Sequence, residues 1–245
     1  MLVGIDEAGR GPVLGPLVIG ICCIPEEKES LLVEAGVKDS KDLTPAQRRD
    51  IEAWFNQSKE EHGWYGTTVK LSAETIDLAL QGKGLNWLEV DGFRQALETL
   101  PSKEEVQIFA DACDVNAQRF TQRILADLPQ WPWPESRMTS EHKADTRYPV
   151  VAMASILAKE ERDRSIAAMA ARVGFNVGSG YPSDPNTKAA LGDLILQSAI
   201  DEDVRWGWAT VERFWSVHRQ GDVPVRGQQR TVQQRLFQSE DTRIS

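Results

Sequence analysis

The sequence predicts an α/β fold, a mixed central sheet flanked by helices, with a helical extension at the C-terminal end. Three observations carry that expectation. Two apolar strand-like runs open the chain, strand and helix patterns interleave through its middle, and only helical patterns follow from residue 150. The length of 245 residues suffices for one large core, or for one domain with a small appendage.

Taken in order, residues 2–6 (LVGID) and 16–24 (PLVIGICCI) are apolar runs that fit buried strands. The Gly-rich segment AGRGPVLG between them reads as a hairpin connection. Thr44 and Pro45 form an N-cap and first helical position for a helix over 45–59. Residues 64–72 alternate as a third strand, and Ser72 caps a short helix with Glu74 and Asp77 near its start. Asn86 opens a helix with Leu88, Phe93, Leu97 and Leu100 on its apolar side. VQIFA, 106–110, fits a central strand ending at Asp111, and a helix follows over 116–127. PQWPWPESRM, 129–138, reads as a proline-broken loop.

Residues 150–172, rich in alanine and other strong helix formers, make the longest helix, with small residues on the side that packs closely. A loop at 178–182 precedes helices over 187–199 and 203–218, and beyond Gly221 periodicity gives way to a Gln- and Arg-rich flexible tail. The expected division is therefore a main α/β part over 1–186, a helical part over 187–220 packed on it, and the tail 221–245.

Composition narrows the chemistry. Three cysteines with no CxxC, and three histidines, give a zinc site or an imidazole triad no support, so a bound metal would be a hard cation held by oxygens. No stretch approaches the ~20 apolar residues of a membrane span. The first residues lack the cationic region of a signal peptide, so the expected location is the cytoplasm. The net charge of −9 argues mildly against nucleic acid, but it is uneven: from Arg205 onward there are seven arginines against four acids.

Asp6 and Glu7 end the first apolar strand and Asp111 ends VQIFA, so ionised carboxylates there need positive compensation. A divalent cation would supply it, with Asp145 before the long helix as a further ligand. Turn-forming and capping roles fit the same acids. Consecutive strand residues face opposite sides, so Asp6 and Glu7 share a site only if the strand ends or bulges there. Lys41 and Lys143, near loops, are candidate phosphate contacts. Arg162, Asp163 and Arg164 read as helix-surface pairs, and Trp206, Trp208 and Trp215 as core of the last helices.

GIDEAGRGPVLGPLV, VKDSKDLTP, FADACDV, EHKADTRYPVVAMASILAKEERDR and GSGYPSDP, in that order over residues 3–186, resemble the successive motifs of ribonuclease HII. The last two blocks are closest to the archaeal and eukaryotic branch. The resemblance implies a ribonuclease H-like fold with catalytic, metal-holding carboxylates at Asp6, Glu7, Asp111 and Asp145. It also implies two Mg²⁺ or Mn²⁺ ions and hydrolysis of the RNA strand of RNA–DNA hybrids to a 3′-hydroxyl and a 5′-phosphate. Gly9, Arg10, Gly11 and Tyr181 match the family's reader of the 2′-hydroxyl, which implies cutting 5′ of a single ribonucleotide in duplex DNA. The compact chain resembles members that act alone, as monomers. Gln233-Gln234-Arg235-Leu236-Phe237 resembles a short peptide that docks on sliding clamps, with Gln233, Leu236 and Phe237 as anchors. The competing readings are another two-metal nuclease of the same fold, or a non-catalytic nucleic-acid-binding or clamp-tethered accessory protein.

Overall fold

The computed structural model describes residues 1–101, 105–126, 128, 136–196 and 201–226. Its centre is a five-stranded sheet in the order β3-β2-β1-β4-β5. The strands are β1 Leu2–Ala8, β2 Leu17–Ile24, β3 Tyr65–Leu71, β4 Gln107–Asp111 and β5 Arg137–Glu141. β1, β2 and β3 form an antiparallel meander, while β4 and β5 run parallel to β1. The helices are α1 Glu29–Glu34, α2 Pro45–His62, α3 Ala73–Leu80, α4 Leu85–Glu98, α5 Ala117–Ala126, α6 Pro149–Val173, α7 Pro185–Leu196 and α8 Ala209–His218.

The pleat of β1 sorts its side chains between two cores. Val3 and Ile5 join Phe93, Ala96 and Leu97 of α4 and Phe120 of α5 on one face. On the other face α6 lies directly on the strands, with α2 beside it. Gly4 and Gly20 permit that approach: a Cβ on Gly4 would lie 2.2 Å from the Val150 carbonyl oxygen, and one on Gly20 2.1 Å from that of Ala154. Ala152, Ala154 and Ala158 keep the helix side equally shallow, and all three are buried. α7, α8 and the end of α6 gather Val13, Leu14, Ile166, Leu194, Trp206 and Val211 into a third cluster.

Several expected boundaries move. β5 begins at Arg137, inside the segment read as a proline-broken loop. It pairs with β4 alone and is the sheet's edge, so RMTSE carries no apolar run to announce it. α1 was not expected either; it buries only Leu32. α8 starts at Ala209, not at residue 203, because residues 201–208 are drawn into contacts with the loop after β1. At the far end Arg226 donates to Asp77 and to the carbonyls of Glu202 and Val204, which fastens the start of the segment read as a tail. Residues 129–135, 197–200 and 227–245, and with them Gln233, Leu236 and Phe237, lie outside the described residues. Among the described residues no helix is long and apolar enough to cross a membrane.

Candidate active site

Strand register places the acids. Ile5 of β1 stands opposite Ala110 of β4, so the next residues along, Asp6 and Asp111, reach the same end of the sheet together. Asp6 shares its face with Gly4 and points toward α6, where Ser155 hydrogen-bonds its carboxylate. Asp145 arrives on a 3-10 turn, Ala144–Thr146, entered through Lys143 in the left-handed conformation at φ 59°. The Ala144 N–H donates to Asp111 Oδ1 at 3.1 Å and fixes that turn to β4. Carboxylate oxygens of Asp6, Asp111 and Asp145 then lie within 4.8 Å of one another.

Glu7 behaves differently. The β1–β2 register continues without a bulge through Glu7 and Ala8, so Glu7 projects to the α4 side. There its carboxylate lies within 4.8 Å of Glu89 and the Cys113 thiol. Asp6, Glu7 and Asp111 nonetheless line one cavity of about 430 Å³, together with Gly9, Arg10, Gly11, Ser40, Lys41, Arg48, Ser155, Lys159 and Tyr181. Asp145 is buried beside it, its Oδ2 3.9 Å from the Lys41 ammonium. Lys143 is exposed and does not line the cavity.

The electrostatics favour a cation. Burial, then the charges of Glu7 and Asp111, push the Asp6 carboxyl well above the usual carboxylate range. Burial and Asp111 raise Glu7; burial, Asp39 and Asp111 raise Asp145. Asp145 Oδ2 and Glu7 Oε2 are buried with no hydrogen-bond partner. Oxygen-only ligands, crowded and unsatisfied, fit a hard divalent cation and leave little else that would settle them.

The surrounding walls come from two loops. Gly9 turns the chain at φ +94°, and a Cβ there would meet the Pro16 carbonyl oxygen at 2.7 Å. Gly11 faces Tyr181, whose ring would be 3.8 Å from a Cβ at that position. The Arg10 guanidinium is occupied: it pairs with Glu89 and donates to Asn86 Oδ1 at 2.9 Å. Glu89 is fully buried on α4, and burial and the Glu7 charge raise its carboxyl to about 8. Sequence reasoning missed it. A signal existed, since Leu85, Leu88, Gly92, Phe93 and Ala96 set a helical stripe in which position 89 falls. Arg162 is a correction of another kind. Arg164 forms surface pairs with Glu52 and Glu161, but Arg162 is buried beneath the site and donates to the Ser179 carbonyl. Trp206 is buried in the C-terminal cluster, edge to face with Trp215, and Trp208 packs against the same cluster while its ring lies 5.0 Å from the Arg205 guanidinium.

A five-stranded sheet of this order, with clustered carboxylates at the ends of its adjacent parallel strands, defines a metal-dependent nuclease of the ribonuclease H-like class. The family model described as Ribonuclease HII matches residues 3–211, and the chain belongs to the ribonuclease HII family. It is thus a type 2 ribonuclease H, an endoribonuclease acting on RNA–DNA hybrids. Ribonuclease HII of Pyrococcus abyssi is 46% identical over 214 residues, covering 87% of this chain and 90% of the relative. That of Methanococcoides burtonii is 39% identical over 218 residues, 87% and 98% of the two chains. The ribonuclease H2 structure from Pyrococcus horikoshii superposes with a TM-score of 0.76 at 38% identity, covering 90% of this chain and 99% of its own. The ribonuclease HII of Archaeoglobus fulgidus, solved as a complex with PCNA, gives 0.73 at 33% identity, covering 85% and 95%.

Proposed function

We propose that this enzyme hydrolyses the RNA strand of hybrids and also cuts on the 5′ side of single ribonucleotides embedded in duplex DNA, leaving a 3′-hydroxyl and a 5′-phosphate. The observation that carries the reading is the convergence of Asp6, Asp111 and Asp145 within 4.8 Å beside a cavity walled by Gly9–Gly11 and Tyr181. Asp6, Asp111 and Asp145, with Glu7 from the opposite face of β1, would hold two Mg²⁺ or Mn²⁺ ions. When bound, such ions supply an activated water and charge stabilisation at the phosphate.

The chain's own residues orient the substrate. With the Arg10 side chain taken up by Glu89 and Asn86, reading of the 2′-hydroxyl falls to the backbone of the turn, which glycine leaves open to a sugar. Tyr181, 37% exposed, offers its ring to the deoxyribose that follows the ribonucleotide. Lys41, held near the carboxylates by the Asp39 side chain bonding its N–H, supplies a positive charge for a phosphate. Lys143 would contact the backbone farther from the cut. Residues 1–186 would form the catalytic part and 187–220 a helical part on it, the whole acting as a cytoplasmic monomer. A sliding clamp is the proposed protein partner, engaged by Gln233, Leu236 and Phe237; the PCNA complex of the A. fulgidus relative supports that reading.

The test is a labelled DNA duplex containing one ribonucleotide, incubated with the protein and Mg²⁺, then Mn²⁺. Cutting immediately 5′ of the ribonucleotide is expected, with Asp111→Asn about a thousandfold slower or worse, the equivalent of several kcal/mol of lost charge stabilisation. Cutting only of long hybrids would remove the junction-reading role of the turn and Tyr181. No cutting of either substrate would sink the assignment.

A further inference from the structure

The two largest fully buried side chains among the described residues are both arginines, Arg162 and Arg205. Neither lines the carboxylate cavity, yet both lie under its walls. Arg205 comes from the segment before α8 and donates three times to the loop after β1. Its Nε reaches the Gly15 carbonyl at 2.9 Å, Nη1 that of Arg10 at 3.1 Å and Nη2 that of Gly9 at 2.6 Å. Among the described residues it forms no ion pair; its guanidinium lies 5.0 Å over the Trp208 ring. Arg162, from α6, donates Nη2 to the Ser179 carbonyl and lies 5.1 Å under the Tyr181 ring.

The two side chains are neighbours. A Cβ on Gly9 would come within 3.3 Å of Arg162 Cγ and 3.7 Å of Arg205 Nη2, so both side chains meet beneath that one residue. Backbone bonds complete the join, the Val13 and Leu14 N–H groups both donating to the Gly180 carbonyl at 2.8 and 3.3 Å. Arg162 also donates Nη1 to Asp163 at 3.3 Å, but Arg205 has no such counter-ion, and a buried charge without one, beside a second guanidinium, is electrostatically unfavourable. A cross-link needed only for stability could be built from neutral donors. What arginine adds is a planar fork long enough to bond several carbonyls at once, and a flat face on which an aromatic ring can rest.

We infer that Arg162 and Arg205 are positioning residues for substrate selection: together they set the spacing between the Gly9–Gly11 turn and Tyr181. The inference rests on the reading of those two elements as ribose and deoxyribose contacts. A lone ribonucleotide must satisfy both at once, at a single register, so it depends on their separation. A long hybrid offers a 2′-hydroxyl at every step and many phosphate contacts, and tolerates a looser pair.

The experiment compares kcat/KM on the single-ribonucleotide duplex and on a long hybrid for the wild-type chain, Arg205→Gln, Arg205→Lys and Arg162→Lys. Arg205→Gln should lower the ratio of the two values at least tenfold, mainly through KM on the single-ribonucleotide substrate. Arg205→Lys should recover part of the ratio, and Arg162→Lys should lower it by removing the flat support of Tyr181. The Mg²⁺ concentration giving half-maximal hybrid cleavage should stay where it is, since no carboxylate changes. If Arg205→Gln does not fold, Trp208→Leu tests the same point, because it loosens the guanidinium while keeping every hydrogen bond. A ratio unchanged within twofold in folded variants, or an equal loss on both substrates, overturns the inference and leaves the nuclease reading standing. A wild-type chain that cuts hybrids but not single ribonucleotides overturns the reader itself.

Discussion

Replacing Asp145 by asparagine should make the metal-free protein more stable while abolishing its activity. Three carboxylates within 4.8 Å repel one another. At that separation and an effective dielectric of about 20, each ionised pair costs about 3.5 kcal/mol. Asp145 takes part in two such pairs, but proton uptake, favoured by the raised Asp6 and Asp145 carboxyls, relieves part of the strain. A net gain of about 3–4 kcal/mol remains once repulsion is limited in this way. Against it stands the lost contact with Lys41, at 3.9 Å and with the lysine side chain 81% exposed, worth at most about 1 kcal/mol. The new amide nitrogen would occupy the place of an oxygen that has no hydrogen-bond partner and could donate to Asp6 or Asp111. About 2–4 kcal/mol then remains, which for a chain of this size corresponds to a Tm increase of roughly 4–16 °C. Calorimetry in chelator at pH 8 reads it directly, and added Mg²⁺ should then raise the wild-type Tm but hardly move the variant. A metal-free variant melting at or below the wild type would refute the view that these oxygens are held together against their own charge.

Other consequences can be measured alongside. Glu89 has a folded pKa of about 8 against 4.5 unperturbed, so the stability of its protonated form is complete below about pH 4.5 and lost as pH rises through 8. The metal-free Tm should therefore fall over that window, by up to about 5 kcal/mol of stability, and Glu89→Gln should flatten the fall; a Tm that climbs with pH would contradict the sign. Gly20→Ala sets a methyl 2.1 Å from the Ala154 carbonyl oxygen and should cost about 3 kcal/mol, seen as a lower urea midpoint with an unchanged slope. Deleting residues 230–245 should weaken binding to the host's sliding clamp at least tenfold without altering kcat on a free duplex; unchanged clamp binding would remove Gln233, Leu236 and Phe237 from that role.

The parts legible in the sequence were those with a pattern that one element can carry alone. β1 and β2 are buried on both faces along most of their length and so read as unbroken apolar runs; β4, with Ile108 and Ala110 buried and Phe109 partly buried between them, still reads as one, and an acid at the end of such a run stands out. Asp6 and Asp111 were found that way, with Asp145 added as a further ligand. β5 was not, because an edge strand has one neighbour and needs no apolar run. Glu7 was placed with Asp6 by adjacency and the motif, whereas the unbroken register turns it toward Glu89. Glu89 required attention to helical phase rather than to composition. Arg205 left no local mark: Val204, Arg205 and Trp206 follow no period, and what makes the arginine matter is a turn 195 residues upstream.

That separation has a consequence for the order of events during synthesis. The turn is made long before Arg205, since the hydrogen bonds from Arg205 to Gly9 and Arg10 join residues 196 and 195 positions apart. Closing so long a loop is slow compared with forming the β1–β2 hairpin, whose strands are near neighbours in the chain. A growing polypeptide can therefore gather Asp6 and Asp111 on its early sheet well before the turn acquires its final support. The turn above the carboxylates thus gains its buried support only after Arg205 has left the ribosome.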